Sequence, residues 1–220
     1  MGFSKELSEL KVLVVDDQPI ILHMMAGVLN QLGLANVDTA QSAELALSVV
    51  EGGDVDLLLV DIEMDGMNGL ELLKRIRCGQ TGLSTNTPVL VITSHTEASV
   101  LGTAIALDAN GIVAKPAKPE QLTTKISDAF NTNFSARPRI GYEVIPTDVV
   151  ESGDVVPEQQ GARNVQLADL EEGMVLAAAV KTREDKVLLN QGIRISANTI
   201  DRLREVQDLL PDEATFKVVD

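Results

Sequence analysis

The chain has 220 residues, a formal charge of −15, 45% apolar residues, 2% aromatics and no Trp. That length holds one full domain of about 120 residues and something smaller, with a core drawn from Leu, Val, Ile and Ala, the material of parallel strands and covering helices. Residues 1–130 carry 8 Lys/Arg against 17 Asp/Glu and residues 131–220 carry 10 against 16, so neither part has the basic footprint of a nucleic-acid binder.

Cys78 is the sole cysteine, which rules out an intrachain disulfide and suits a reducing compartment. The start, Met1-Gly2-Phe3-Ser4-Lys5-Glu6, lacks the apolar stretch of a signal peptide and has Glu6 where a myristoylation signal needs Ser or Thr. No apolar run approaches the roughly 18 residues of a membrane helix. A soluble cytoplasmic protein without membrane contact is the expectation.

Strand and helix signals alternate through the first 130 residues. Lys11–Val15 reads as a strand. Pro19 opens a helix with Ile21, Met24, Met25, Val28, Leu29 and Leu32 at helical spacing, stopped by Gly33. A short strand at Asn36–Ala40 precedes a helix capped by Ser42 and ended by Gly52-Gly53. Val55–Val60 is a third strand, and Asn68-Gly69 leads into a helix with Leu70, Leu73 and Ile76 on one face. Val89–Thr93 is the fourth strand, Val100–Leu107 a helix, Ile112–Ala114 the fifth strand and Pro119–Phe130 a closing helix.

Five βα units specify an α/β fold, a doubly wound parallel sheet with helices on both faces. Its common small version has the order 2-1-3-4-5, which brings the ends of strands one and three together. A domain over 9–130 follows. From 131 to 162, Pro138, Pro146, Pro157 and Gly141, Gly153, Gly161 are scattered among polar residues, the pattern of a partly extended linker.

Over 163–220 a second, smaller β-rich α+β module is expected. Met174–Lys181 and Lys186–Leu189 flank a turn at 182–185, and Gly192 marks another turn. Ser196 caps a helix carrying Ile200, Leu203, Val206 and Leu210 up to Pro211, and Thr215–Val219 is a closing strand. About 55 residues is near the lower limit for folding alone, so docking or dimerisation is expected to help this module.

The strand ends carry the chemistry. Asp16-Asp17 follows the apolar run Val12–Val15, and Asp61 follows the run Val55–Val60. In an open α/β sheet that carboxyl edge is where ligands sit. Three carboxylates gathered there repel one another unless a hard cation lies between them. Mg2+ suits the place, since it takes one or two carboxylates, keeps waters and coordinates phosphate oxygens. Thr93 ends strand four and Lys115, before Pro116, ends strand five. A carboxylate can accept a phosphoryl group when a cation and an ammonium neutralise the transferring oxygens.

With these residues in place, residues 9–130 resemble the receiver domain of bacterial two-component response regulators, of the CheY-like, flavodoxin-like type. The resemblance rests on Val14-Val15-Asp16-Asp17, Val60-Asp61-Ile62-Glu63-Met64, Asn68-Gly69-Leu70-Glu71, Val91-Ile92-Thr93-Ser94 and Ala114-Lys115-Pro116. It implies that Asp61 is the phosphoacceptor and that Asp16 and Asp17 hold Mg2+, with the backbone carbonyl of Glu63 as a further ligand. It implies too that Lys115 pairs with the phosphoryl group, that Thr93 is the switch hydroxyl and that the bond before Pro116 is cis. A sensor histidine kinase or phosphotransfer protein would be the donor.

There are departures. Asp65-Gly66 stands where the family often has Pro at position 65, and Ile112 stands where it often has an aromatic residue. Asn110, Gly111 and Lys125 match poorly the charged pairs of the dimerising transcription-factor receivers, so that dimer is not assumed, although a homodimer of another kind is possible. Glu63 and His95 flank the entry to the site, either as solvated rim residues or as groups that set phosphoryl lifetime.

The segment Leu167–Ala177, with Leu188-Leu189-Asn190-Gln191-Gly192 and the helix around Ile200–Arg204, is similar to a small β-rich module that accompanies HD-GYP cyclic-di-GMP phosphodiesterase domains. The catalytic part is missing: the chain's two histidines, His23 and His95, both lie in the first half. PilZ-type signatures are also absent from the sequence.

The leading expectation is therefore a response regulator with no turnover activity, whose module contacts an unidentified downstream protein and not DNA. Two alternatives are a DNA-binding transcriptional regulator, disfavoured by charge and the lack of a helix-turn-helix pair, and an aspartyl-phosphate phosphatase, disfavoured because Asp16-Asp17 is followed by Gln18-Pro19.

Overall fold

A computed structural model describes residues 7–94, 97–132, 134–147 and 161–219. Five parallel strands, β1 (Lys11–Val15), β2 (Asn36–Ala40), β3 (Leu57–Asp61), β4 (Val89–Thr93) and β5 (Gly111–Ala114), form one sheet in the order 2-1-3-4-5. The helices between them are α1 (Pro19–Gln31), α2 (Ala43–Val50), α3 (Gly69–Arg77), α4 (Ala98–Ala106) and α5 (Pro119–Asn131). The expected doubly wound sheet is what these residues build.

The strands are buried because both faces are covered. Val12 and Val14 face α1 and α5, where Leu22, Met25, Leu29, Leu122 and Ile126 complete one apolar cluster. Leu13 and Val15 face the other way, into a cluster with Leu70, Leu73, Ile76, Leu101 and Ile105 from α3 and α4. Near-continuous apolar runs are what two-sided burial requires.

The third strand begins two residues later than expected. The Asp56 N–H donates to the Lys11 carbonyl at 2.8 Å, but the Lys11 N–H goes to the Asp56 carboxylate at 2.9 Å, so regular backbone pairing starts only at Leu57. Asp61 is itself the last strand residue, in register with Ile92 of β4.

The stretch read as a linker is anchored to the receiver by two buried side chains where it is described. Residues 134–147 include a short helix, α6 (Ile140–Glu143), and bury Tyr142 and Ile145 completely or nearly so. Lys74 on α3 donates to the Glu143 and Ile145 carbonyls. The rest of the expected linker, 148–160, lies outside the described residues.

The C-terminal region holds two small antiparallel sheets and a helix. One sheet has the order β6 (Arg163–Gln166), β10 (Thr215–Val219), β7 (Val175–Leu176), and the other pairs β8 (Val180–Lys181) with β9 (Val187–Leu189). The expected single strand over Met174–Lys181 is two short ones, since Val175–Leu176 pairs with β10 and Val180–Lys181 with β9. The helix α7 (Ala197–Glu205) has a capping box between Ser196 and Thr199, and it ends before Leu210, which follows a separate 3-10 turn at Gln207–Leu209. In β10 the alternation is clean, with Phe216 and Val218 buried and their neighbours not.

This region is not separate from the sheet. The cluster beneath α4 runs on through Tyr142, Leu188, Ile195, Leu203 and Phe216 without a break.

Candidate phosphoryl and metal site

The carboxyl ends of β1, β3, β4 and β5 meet at one edge. Asp16, the first residue after β1, is 2% exposed, and Asp61, at the end of β3, is 3% exposed. These two, with Asp17, offer oxygen atoms that all lie within 4.8 Å of one another. The cluster exists because strands one and three are neighbours in the sheet, with Val15 in register with Val60.

Lys115 reaches across this edge from the end of β5. Its Nζ lies 2.6 Å from Asp16 Oδ2 and 2.9 Å from Asp61 Oδ2. The Lys115–Pro116 bond is cis. The Lys115 backbone N–H donates to the Thr93 carbonyl at 2.8 Å, which ties the two strand ends together. Thr93 is buried, one residue beyond the register partner of Asp61.

Electrostatics follow from burial and this pairing. Burial pushes the Asp61 carboxyl above the ordinary carboxylate value, Lys115 pulls it down, Asp16 adds to the rise, and the net direction is upward. For Lys115, burial acts downward, but the hydrogen bonds and charges of Asp16 and Asp61 outweigh it and the net direction is upward. One ammonium, paired with two of them, therefore stands against three carboxylates. Two oxygens, Asp17 Oδ1 and Asp61 Oδ1, are buried with no hydrogen-bond partner. Unpaired buried carboxylate oxygens are costly, and a hard cation with oxygen preference fits them.

Local backbone chemistry positions Asp61. Asn68 caps α3 by accepting the Glu71 N–H at 2.9 Å, and the next residue, Gly69, approaches β3 so closely that a Cβ there would lie 2.0 Å from the Asp61 carbonyl oxygen. Only glycine allows this contact. The Asp16 Oδ1 atom accepts the Gln18 N–H at 2.9 Å, which orients that carboxylate.

Every residue expected at the site is at this edge: Asp16, Asp17, Asp61, Thr93 and Lys115, with Glu63 two residues beyond Asp61. The Glu63 side chain is exposed and accepts from Ser94 Oγ at 3.3 Å. Nothing in the spacing of Glu63 and Ser94 along the chain signals that bond across the mouth. His95, its expected companion, lies outside the described residues.

The order of the sheet and this edge define a receiver-type phosphoacceptor fold. The response regulator receiver domain profile matches residues 12–127, more than half the chain, and the chain belongs to that family. Over 121 residues it is 31% identical to the chemotaxis protein CheY of Pseudomonas aeruginosa, a match spanning 55% of this chain and 96% of that one. It is also 31% identical over 126 residues to the transcriptional regulatory protein YvrH of Bacillus subtilis, spanning 57% of this chain and 51% of that protein.

Among solved structures, a Chloroflexus aurantiacus protein assigned as a response regulator aligns with TM-score 0.51 and 30% identity, covering 56% of this chain and 98% of that one. Receiver domains are phosphoacceptors of two-component systems and not turnover enzymes. They typically bind Mg2+ at the acidic pocket, and CheY-like members interact with histidine kinases or phosphotransfer proteins. No helix among the described residues is long and apolar enough to cross a membrane.

Proposed function

We propose that the chain is a response regulator that receives a phosphoryl group on Asp61. The reading is supported above all by Lys115, whose ammonium bridges Asp16 and Asp61 beside two unpaired buried carboxylate oxygens. The Asp61 carboxylate attacks the phosphorus of a phosphohistidine or small acyl phosphate; an O–P bond forms as the donor's N–P or O–P bond breaks. Lys115 holds the oxygens of the transferring group. The hydroxyl of Thr93, a buried residue at the end of β4, donates to the group once attached.

Asp16, Asp17, Asp61 and the Glu63 carbonyl would hold Mg2+, which supplies charge neutralisation for the phosphoryl oxygens. The Glu63 side chain, held by Ser94, stands at the mouth, where it limits the approach of the hydrolytic water.

The domain division we propose is a receiver over 9–130, a connecting segment over 131–162 and a non-catalytic C-terminal module over 163–220 acting through protein contacts. Its likeness to the HD-GYP-associated module supports a signalling role over DNA binding, as does the acidic charge of this half. The chain would act in the cytoplasm.

The test is thermal unfolding with Mg2+ and beryllofluoride, a mimic of an attached phosphoryl group. Wild type should gain several degrees more with both than with Mg2+ alone, and Asp61→Asn should gain nothing from beryllofluoride. An equal gain in the variant would refute the assignment.

A further inference from the structure

We propose that Asp108 is the lock that seats residues 163–219 on the α4–β5 face of the receiver, so that this face is filled by the chain's own module and closed to a second protein. Asp108 sits at the turn from α4 into β5, and its φ is +54°. Left-handed backbone is glycine territory, which an L-residue occupies only at a cost. Nothing in the turn itself needs a side chain. The side chain present is nevertheless fully buried.

Its two carboxylate oxygens and its carbonyl gather three distant segments. Oδ2 accepts from Arg137 Nε at 2.8 Å and from the Tyr142 hydroxyl at 2.8 Å, both in the connecting segment. Oδ1 accepts from Ser196 Oγ at 2.5 Å, the residue that caps α7 of the module. The Asp108 carbonyl accepts from Arg77 of α3 at 3.0 Å. Arg137 in turn donates to the Ala106 carbonyl at the end of α4 and to the Arg194 carbonyl in the module. One residue thus joins receiver, connector and module.

The surfaces around it fit the same assignment. Asn198 Nδ2 donates to the Ala109 carbonyl and Arg202 Nη1 to the Asn110 carbonyl, each at 2.7 Å. Lys125 on α5 pairs with Glu205 of α7 at 2.5 Å. Along α4, Gly102 lets β9 approach so closely that a Cβ would stand 1.4 Å from the Leu188 carbonyl oxygen. Helix α4 is apolar on its outer side too, and Val100, Leu101, Ala104 and Ile105 are all buried. A helix apolar all round needs cover on every side, and the module provides it from a core continuous with that of the receiver.

Residues 163–219 are near the lower size limit for an independent core, and their apolar residues share one cluster with α4, so the cover is a fixed part of the resting fold. The inference does not depend on the phosphoryl chemistry proposed above.

Hydrogen exchange on the full chain tests it with Asp108→Gly and Asp108→Asn. Glycine relieves the backbone while removing the lock; asparagine tolerates the same φ and guards against a glycine variant that does not fold. In both, amides of β9 and α7 should exchange at least tenfold faster, while those of β1 and β3 stay within threefold of wild type. Module amides that remain within threefold of wild type in the folded variants would overturn the proposal.

Discussion

At the residue scale, the site is a balance of one ammonium against three carboxylates, and it should respond to pH. The Asp61 carboxyl is raised above its ordinary value of 3.8 by burial, only partly opposed by Lys115. Between that value and the raised one, the folded state binds the proton more tightly than the unfolded state, so stability falls as pH rises. Asp61→Asn removes the burdened charge. Without divalent cation it should melt roughly 2–4 °C above wild type at neutral pH, the effect of about 1 kcal/mol at this chain length. The gain should shrink as pH falls toward 3.8. A calorimetric pH series with a gain that grows on acidification would contradict this assignment of charge.

Lys115→Met should act in the opposite direction. It leaves Asp16 and Asp61 buried without their counter-charge, a loss of about 2–3 kcal/mol for a partly exposed pair. Added Mg2+ should raise the melting temperature of this variant by more than it raises wild type, because the metal then supplies the only neutralising charge. Equal gains would mean that the lysine and the metal do not share these carboxylates.

At the scale of elements, two close approaches set the positions of helices, and each gives a prediction against helix propensity. Propensity alone favours Gly→Ala within a helix by about 1 kcal/mol. Gly102→Ala, in the middle of α4, should instead destabilise by about 2–3 kcal/mol, because its Cβ would strike the Leu188 backbone. Gly69→Ala should slow phosphoryl uptake by about tenfold or more, since the Cβ would displace the Asp61 backbone and misplacement of a reacting group is expensive. Denaturant unfolding reads the first and the initial rate with acetyl phosphate reads the second. A stabilised Gly102→Ala would show that β9 does not rest on this helix.

Most of the sheet was legible at this scale. Apolar runs ending in acidic residues, Ser42 and Gly33 at helix ends, and the alternation of strand and helix are local signals, and they placed every receiver element to within a few residues. The site was legible for the same reason, since strand order alone carries Asp16, Asp61, Thr93 and Lys115 to one edge.

What escaped was long-range. Asp56 shortens β3 through a bond to Lys11, 45 residues away, and β6 shows only Val165 as a buried residue. The Asp108 network joins residues up to 91 positions apart, and no periodicity reports such a contact. One signal was present: the segment from Ala98 to Ala106 has no charged residue on any side, a pattern that asks for a covering layer outside α4.

At the scale of the whole molecule, that layer makes the chain one body across its described residues. The positions that match dimerising receivers poorly, Asn110, Gly111 and Lys125, are the ones used here to seat α7. The seam is not perfectly paired, since Asn110 Nδ2 and Arg202 Nε are buried without a partner, and the bonds to Asp108 and the apolar core outweigh that cost. A chain cut after residue 131 should therefore expose α4, unfold at lower denaturant and self-associate. The full chain should unfold in one transition whose calorimetric and van't Hoff enthalpies agree. A cut chain as stable as the whole would show that the module contributes nothing to the receiver.

The central claim, that Asp61 carries the phosphoryl group, is tested most directly by site-resolved mass spectrometry. The full chain is treated with acetyl phosphate and Mg2+, the acyl phosphate is reduced with borohydride, and peptides are sequenced. Conversion at Asp61 alone, lost when Mg2+ is chelated, is the result predicted. Labelling at Asp16, Asp17 or nowhere in a folded, magnesium-loaded chain would contradict it.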